Sequence, residues 1–156
     1  MNYDFLPNPE GVRADFIKAH VKGDVGTKYM WEELREDSLE IPFDDAVKKL
    51  RNMDTQVWFI SEAEGNPSFN NCALEEYEED KKGFAAVADT DWLAEMIDYE
   101  WYNKSNMLFD GFDLGSNDIL PDDVYVFDKS YNWFIAFTHE WKGDEPETRY
   151  CLAYNI

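Results

Sequence analysis

Thr138-His139-Glu140-Trp141 sets an imidazole beside a carboxylate, the residue types most used for general acid and base work near neutral pH. Placed at the end of an extended strand, however, His139 and Glu140 point to opposite faces, so adjacency in sequence does not pair them. His139 among aromatic residues therefore reads first as a hydrogen-bonded structural residue, with a catalytic His139 and Glu140 as the alternative. A second group, Asp110, Asp113, Asn117 and Asp118, surrounds Gly111 and Gly115 and has the oxygen donors that calcium prefers. Its spacing is not that of an EF-hand loop, and Asx turns account for the same residues without an ion. The third group is anionic. Glu75, Glu76, Glu78, Glu79 and Asp80 flank Tyr77, a ring suited to anchor an interface that the carboxylates would steer toward a basic protein. A solvated face that keeps an aromatic-rich chain soluble is the plainer account of the same run.

Other chemistries leave no mark on the sequence. There is no Gly-x-Gly-x-x-Gly, no phosphate-binding Gly-Lys-Ser/Thr loop, no Gly-x-Ser-x-Gly elbow and no His-Glu-x-x-His. The two histidines, His20 and His139, and the two cysteines, Cys72 and Cys151, lack zinc-ligand spacing, and the thiols are expected to be packed and unpaired. No cofactor and no metal are expected.

Charge narrows the partners. Among 156 residues, 34 acidic and 14 basic side chains give a formal net charge of -20, which opposes binding to nucleic acid phosphates or anionic lipid. The charge is uneven, with nets of -3 for residues 1–53, -11 for 54–100 and -6 for 101–156. Aromatics at 17% exceed what a disordered acidic chain carries, so the chain is expected to fold, and its length suits one domain. No run of 18 apolar residues occurs, and Met1-Asn2-Tyr3-Asp4 does not open a signal peptide, so a cytosolic protein is expected.

The elements that must position these groups follow from periodicity. Val12, Phe16, Ile17 and Val21 share a stripe on a helix over Glu10 to Lys22, stopped at Gly23. A short helix is predicted from Thr27 through Trp31 and Leu34, and another from Asp44 to Met53 on Ala46, Val47 and Leu50. Gln56 to Ile60 and Phe84 to Ala88 read as strands, and Thr90 opens a helix on Trp92, Leu93, Met96, Ile97 and Trp101. From Ser105 to Asp123 glycines and Pro121 predict a long ordered loop. Val124–Phe127, Trp133–Trp141 and Tyr150–Tyr154 then form an antiparallel meander. The fold class is α+β, with N-terminal helices packed on an antiparallel sheet that ends in this three-stranded meander.

The order Val57-Trp58-Phe59-Ile60, the Trp92 to Trp101 helix, and Asp123 through Asn132-Trp133 to Thr138-His139-Glu140 resembles a group of small bacterial proteins. These share a tryptophan-bearing strand, a helix and a hairpin of the form Tyr-x-Val-x-Asp-x-x-x-x-Trp, and similar hairpins occur in immunity proteins that neutralise polymorphic toxins. Where such relatives often end the strand in a His-His pair, this chain has His139 followed by Glu140. The resemblance implies a non-enzymatic immunity or inhibitor protein that binds a basic partner, either a toxin or a nucleic-acid-binding protein. The alternative is a small hydrolase or ligand-binding protein with a pocket near His139 and the Asp110–Asp118 loop.

Overall fold

A computed structural model describes residues 3–23, 29–62, 84–110, 120, 123–141 and 149–156, without the side chains of 101–110 and 141. The expected runs become strands where β-branched and aromatic residues can bury on both faces. These are β3 (Gln56–Ser61), β4 (Ala85–Asp89), β5 (Val124–Phe127), β6 (Phe134–Trp141) and β7 (Arg149–Tyr154). Two more strands, β1 (Tyr3–Phe5) and β2 (Leu39–Ile41), complete a seven-stranded antiparallel sheet in the order β1-β4-β3-β5-β6-β7-β2. The C-terminal meander β5-β6-β7 lies inside this sheet, flanked by β3 and β2.

Alternation along the inner strands divides the core in two. Val57, Phe59, Val124, Val126, Ile135 and Phe137 face α2 (Phe43–Asn52) and α3 (Thr90–Asp110), which contribute Phe43, Ala46, Val47, Leu50, Leu93 and Ile97. Ile60, Tyr125, Phe127, Phe134 and Ala136 face the other way, toward Phe16 of α1 (Pro9–His20) and Met30 of a 3-10 turn over Met30–Glu33. The sheet is thus covered on both sides, which is why β5 and the first half of β6 carry apolar residues at successive positions.

Local chemistry sets the helix ends. Asn8, at φ 55° and ψ 59°, turns its side-chain oxygen to the Gly11 amide at 3.2 Å, and Pro9 supplies the preset φ of the first turn. Helix α1 stops at His20 rather than at Gly23, because Val21 is extended and bridges Leu34. The same pairing replaces the expected Thr27–Leu34 helix by the single 3-10 turn: Lys22 N donates to Glu33 O at 2.9 Å and Arg35 N to His20 O at 2.8 Å. Thr27 itself is outside the described residues. Helix α3 runs on to Asp110, so residues 105–110 of the loop expected from Ser105 to Asp123 are helical; residues 111–119 lie outside the described residues.

His20 is a polar residue in an apolar place. It is 2% exposed and packed on the rings of Phe16, Phe134 and Tyr154, and neither ring nitrogen has a well-formed hydrogen bond. Burial, and then the Arg35 charge, hold its pKa below the usual 6.5, against smaller opposing contributions from the Tyr131 backbone and Asp37. The folded state therefore favours neutral imidazole, a contribution complete above pH 6.5 and lost as pH falls through the lower folded value. In His20→Leu, the stability gained relative to the parent, read by thermal melts, will be larger at pH 5 than at pH 8; a difference independent of pH excludes the linkage.

Candidate functional site

Strand β3 ends at Ser61, and the next residue, Glu62, enters the layer between the sheet and the 3-10 turn with 1% exposure. Its carboxyl group accepts the Met30 amide at 2.9 Å and the Tyr125 hydroxyl through its other oxygen, while Tyr125 Oη accepts the Trp31 amide at 3.0 Å. One carboxyl and one phenol thereby satisfy two successive amides at the start of the turn, where a short helix leaves its N–H groups unpaired. Arg13 of α1 adds a side-chain bond from Nε to the Glu62 carbonyl at 3.2 Å.

Asp123 sits beside this pair, immediately before β5, with 0% exposure. Between Phe137 and Trp141 the β6–β7 register shifts: Phe137 pairs with Cys151 and Trp141 with Arg149, so three residues of β6 oppose one of β7. Thr138 Oγ1 donates to Tyr150 O at 2.7 Å, and the Arg149 guanidinium donates to Thr138 O. The displaced His139 amide is taken by Asp123 Oδ1 at 2.8 Å, and His139 Nδ1 lies 3.0 Å from both Asp123 oxygens. A carboxylate can only accept, so Nδ1 is the donor and Nε2 is directed away from Asp123.

The bulge also corrects an expectation drawn from strand geometry. His139 Nε2 and Glu140 Oε1 are 3.4 Å apart, because the alternation that would send the two side chains to opposite faces is broken there. His139 is 30% exposed and meets the edges of Tyr29 and Trp31, with ring centroids 4.9 Å and 6.3 Å away. Tyr29 stacks on Trp31 at 5.6 Å, and Trp31 packs on Tyr150 at the same distance. The result is an imidazole between two carboxylates, walled by three half-buried aromatic rings.

Of the other candidates, Glu75, Glu76, Tyr77, Glu78, Glu79 and Asp80 lie outside the described residues, as do Asp113, Asn117 and Asp118. Asp110 closes α3, with its side chain outside the description. Among the described residues no three His, Cys, Asp or Glu side chains are grouped to hold a metal ion. Cys151 is fully buried, and burial pushes its thiol up to about 12, as expected for a packed thiol. A cleft of about 520 Å³ lined by Asp54, Asp89, Asp91 and Trp92 opens at the Gln56 end of β3, the end opposite Glu62. No helix among the described residues is long and apolar enough to cross a membrane.

Glu62, Tyr125 and Asp123 went unnoticed in the sequence, although Asp123 and Tyr125 stand within the hairpin pattern. Glu62 offered no signal, since one acid after a strand reads as a turn residue. Compared with protein-family models, curated proteins and solved structures, the chain matches none.

Burial raises the Glu62 carboxyl from 4.5 to about 7, with Asp123 adding to the rise and the bonds from Tyr125 and Met30 opposing it. Burial and the same two acids hold the Tyr125 hydroxyl well above its usual value, so it stays a donor. Because the folded Glu62 pKa is raised, its contribution to stability is complete below about pH 4.5 and is lost as pH rises through about 7. The span corresponds to roughly 3 kcal/mol at most. Relative to the parent, Glu62→Gln will thus gain stability between pH 5 and pH 8 in denaturant titrations, and parallel curves for the two proteins would remove the shift. Tyr125→Phe strands the Trp31 amide and one Glu62 oxygen and will cost about 2 kcal/mol or more in the same titration.

Proposed function

We propose that the chain is a non-enzymatic, acidic protein-binding protein of the immunity or inhibitor type, acting in the bacterial cytosol on a basic partner. The net charge of -20 is the observation that carries this reading. Acids lie on both sides of the sheet: Asp4, Glu10 and Asp15 are exposed on β1 and α1, and Asp44, Asp45, Asp91 and Glu95 on α2 and α3. Such a field accelerates encounter with a cationic protein and disfavours anionic ones.

The chemistry around His139 supports binding over turnover. Among the described residues, the Thr138 hydroxyl is bonded to the Tyr150 carbonyl, the Tyr125 hydroxyl to Glu62, and Asp123 to the amide and Nδ1 of His139. A small hydrolase is the second reading, favoured by one observation, the Asp123–His139 pair that orients Nε2 outward. It requires turnover of chromogenic ester or phosphoester substrates with a pH profile that His139→Asn abolishes.

The acidic run from Glu75 to Asp80 is the proposed contact for the basic partner, with Tyr77 as its anchor. Affinity capture from lysate of the source cell at low salt should recover one basic protein, released at high salt. With that protein in hand, replacing Glu75, Glu76, Glu78 and Glu79 by Gln will slow association and flatten its salt dependence while leaving the melting temperature within about 2 °C. Unchanged association kinetics would remove the run from the interface.

A further inference from the structure

The surface over Tyr29, Trp31, His139 and Tyr150 has the composition of an arginine-binding patch, and none of its residues belongs to the acidic run Glu75–Asp80. Its rings are half-buried, and two carboxylates border them. Glu32 Oε2 accepts the Tyr29 amide at 3.0 Å and is exposed, and Glu140, 55% exposed, reaches His139 at 3.4 Å. A guanidinium combines a flat face that stacks on aromatic rings with N–H donors that match a carboxylate, so rings beside carboxylates suit it better than a lysine ammonium. The same layer contains a worked example made by the chain itself. Arg35 lies over the Tyr154 ring, with Cζ 3.6 Å from the centroid, while its Nε and Nη2 donate to Asp37 at 2.6 Å and 3.0 Å. Tyr154 and Tyr150 are both on β7, four residues apart, which places them on one face of the strand.

We infer that Tyr29, Trp31 and Tyr150, with Glu32 and Glu140, form a docking surface for an arginine side chain of the basic partner; the inference rests on the proposed protein-binding function and adds a second contact to it. Charge complementarity selects the occupant. An acidic rim admits a cationic segment, and rings held by a buried network do not have to be ordered on binding. The anchoring is visible in the structure: the Trp31 amide is bonded to Tyr125, the Tyr29 amide to Glu32, and the Met30 amide between them to Glu62. A surface fixed in advance keeps more of its contact energy for the partner.

Octa-arginine is a suitable probe, titrated at low salt into the full chain labelled with nitrogen-15. The Trp31 indole N–H, Tyr29 and His139 resonances should shift saturably, and octa-lysine should bind more weakly. The double variant Glu32→Gln, Glu140→Gln should lose about fivefold in octa-arginine affinity, and Tyr29→Leu about threefold, with melting temperatures confirming that both fold. The pair Asp89→Asn, Asp91→Asn, at the distant cleft, should leave the Trp31 shifts unchanged. If octa-arginine binds but the shifts gather at that cleft, or spread evenly over all acids, the patch is overturned while the acidic binding function stands. Absence of binding at low salt overturns both. Concentration-dependent Trp31 shifts without peptide would assign the surface to a second copy of the chain, and that outcome also overturns the inference.

Discussion

Two buried carboxyl groups hold one end of the sheet together. Glu62 follows β3 and Asp123 precedes β5, adjacent strands of the sheet, and neither side chain is open to solvent. Each takes up main-chain donors that the surrounding irregular segments leave over: Glu62 serves the 3-10 turn and Asp123 serves the bulge in β6. Burying a carboxyl group is unfavourable unless hydrogen bonds replace its water, and here both bear such bonds. Their proximity has a further effect on Glu62, whose carboxyl is raised chiefly by burial and additionally by the Asp123 charge. Removing one acid would leave unpaired amides in a dry layer, so the turn, the bulge and the aromatic wall are one structural unit and not three.

The unit explains why the candidate residues could be recognised only in part. The run Val124–Phe127 and the strand around Phe134–Phe137 were legible because alternation and β-branched content persist over several residues. Helices α2 and α3 were legible for the same reason at helical period, with Leu50, Leu93 and Ile97 buried as expected. Strands β1 and β2 were not, since three residues offer no period to detect, and both owe their pairing to partners far along the chain. His139 was identified as the polar residue worth attention. Its environment was misjudged, because a bulge is a property of the pairing between two strands and neither strand's sequence announces it. Asp123 and Glu62 illustrate the remaining limit. What gives a carboxylate its role is which amides lack partners nearby, and that is decided only when the layers are assembled.

A net charge of this size also bears on the fold itself. Like charges repel in the compact state, and the apolar layers must outweigh that repulsion. The protein meets this with two cores on one sheet, each built from large rings: Phe43, Phe59 and Phe137 on one side and Phe16, Phe127 and Phe134 on the other. Cations are placed where they relieve local repulsion, as with Arg51 beside Glu95 and Lys22 beside Glu36, though exposed pairs of this kind contribute little stability individually. Raising the salt concentration weakens self-repulsion and partner attraction together, so conditions that favour the folded chain are not those that favour its encounter with a cation.

The sheet order carries a consequence for how the chain assembles. Its first strand, Tyr3–Phe5, lies at one edge and Leu39–Ile41 at the other, with β4, β3 and the meander between them. Ile41 pairs with Cys151, so a segment made early in synthesis waits for one made more than a hundred residues later. During translation α1 and α2 therefore precede the inner strands they cover; the Tyr3–Phe5 edge can close once β4 has appeared, and the Leu39–Ile41 edge only after β7. Pairings this distant in sequence slow the search for the native state. They also mean that β7, the furthest along the sequence of the described strands, is the one that gives the edge strand Leu39–Ile41 its place.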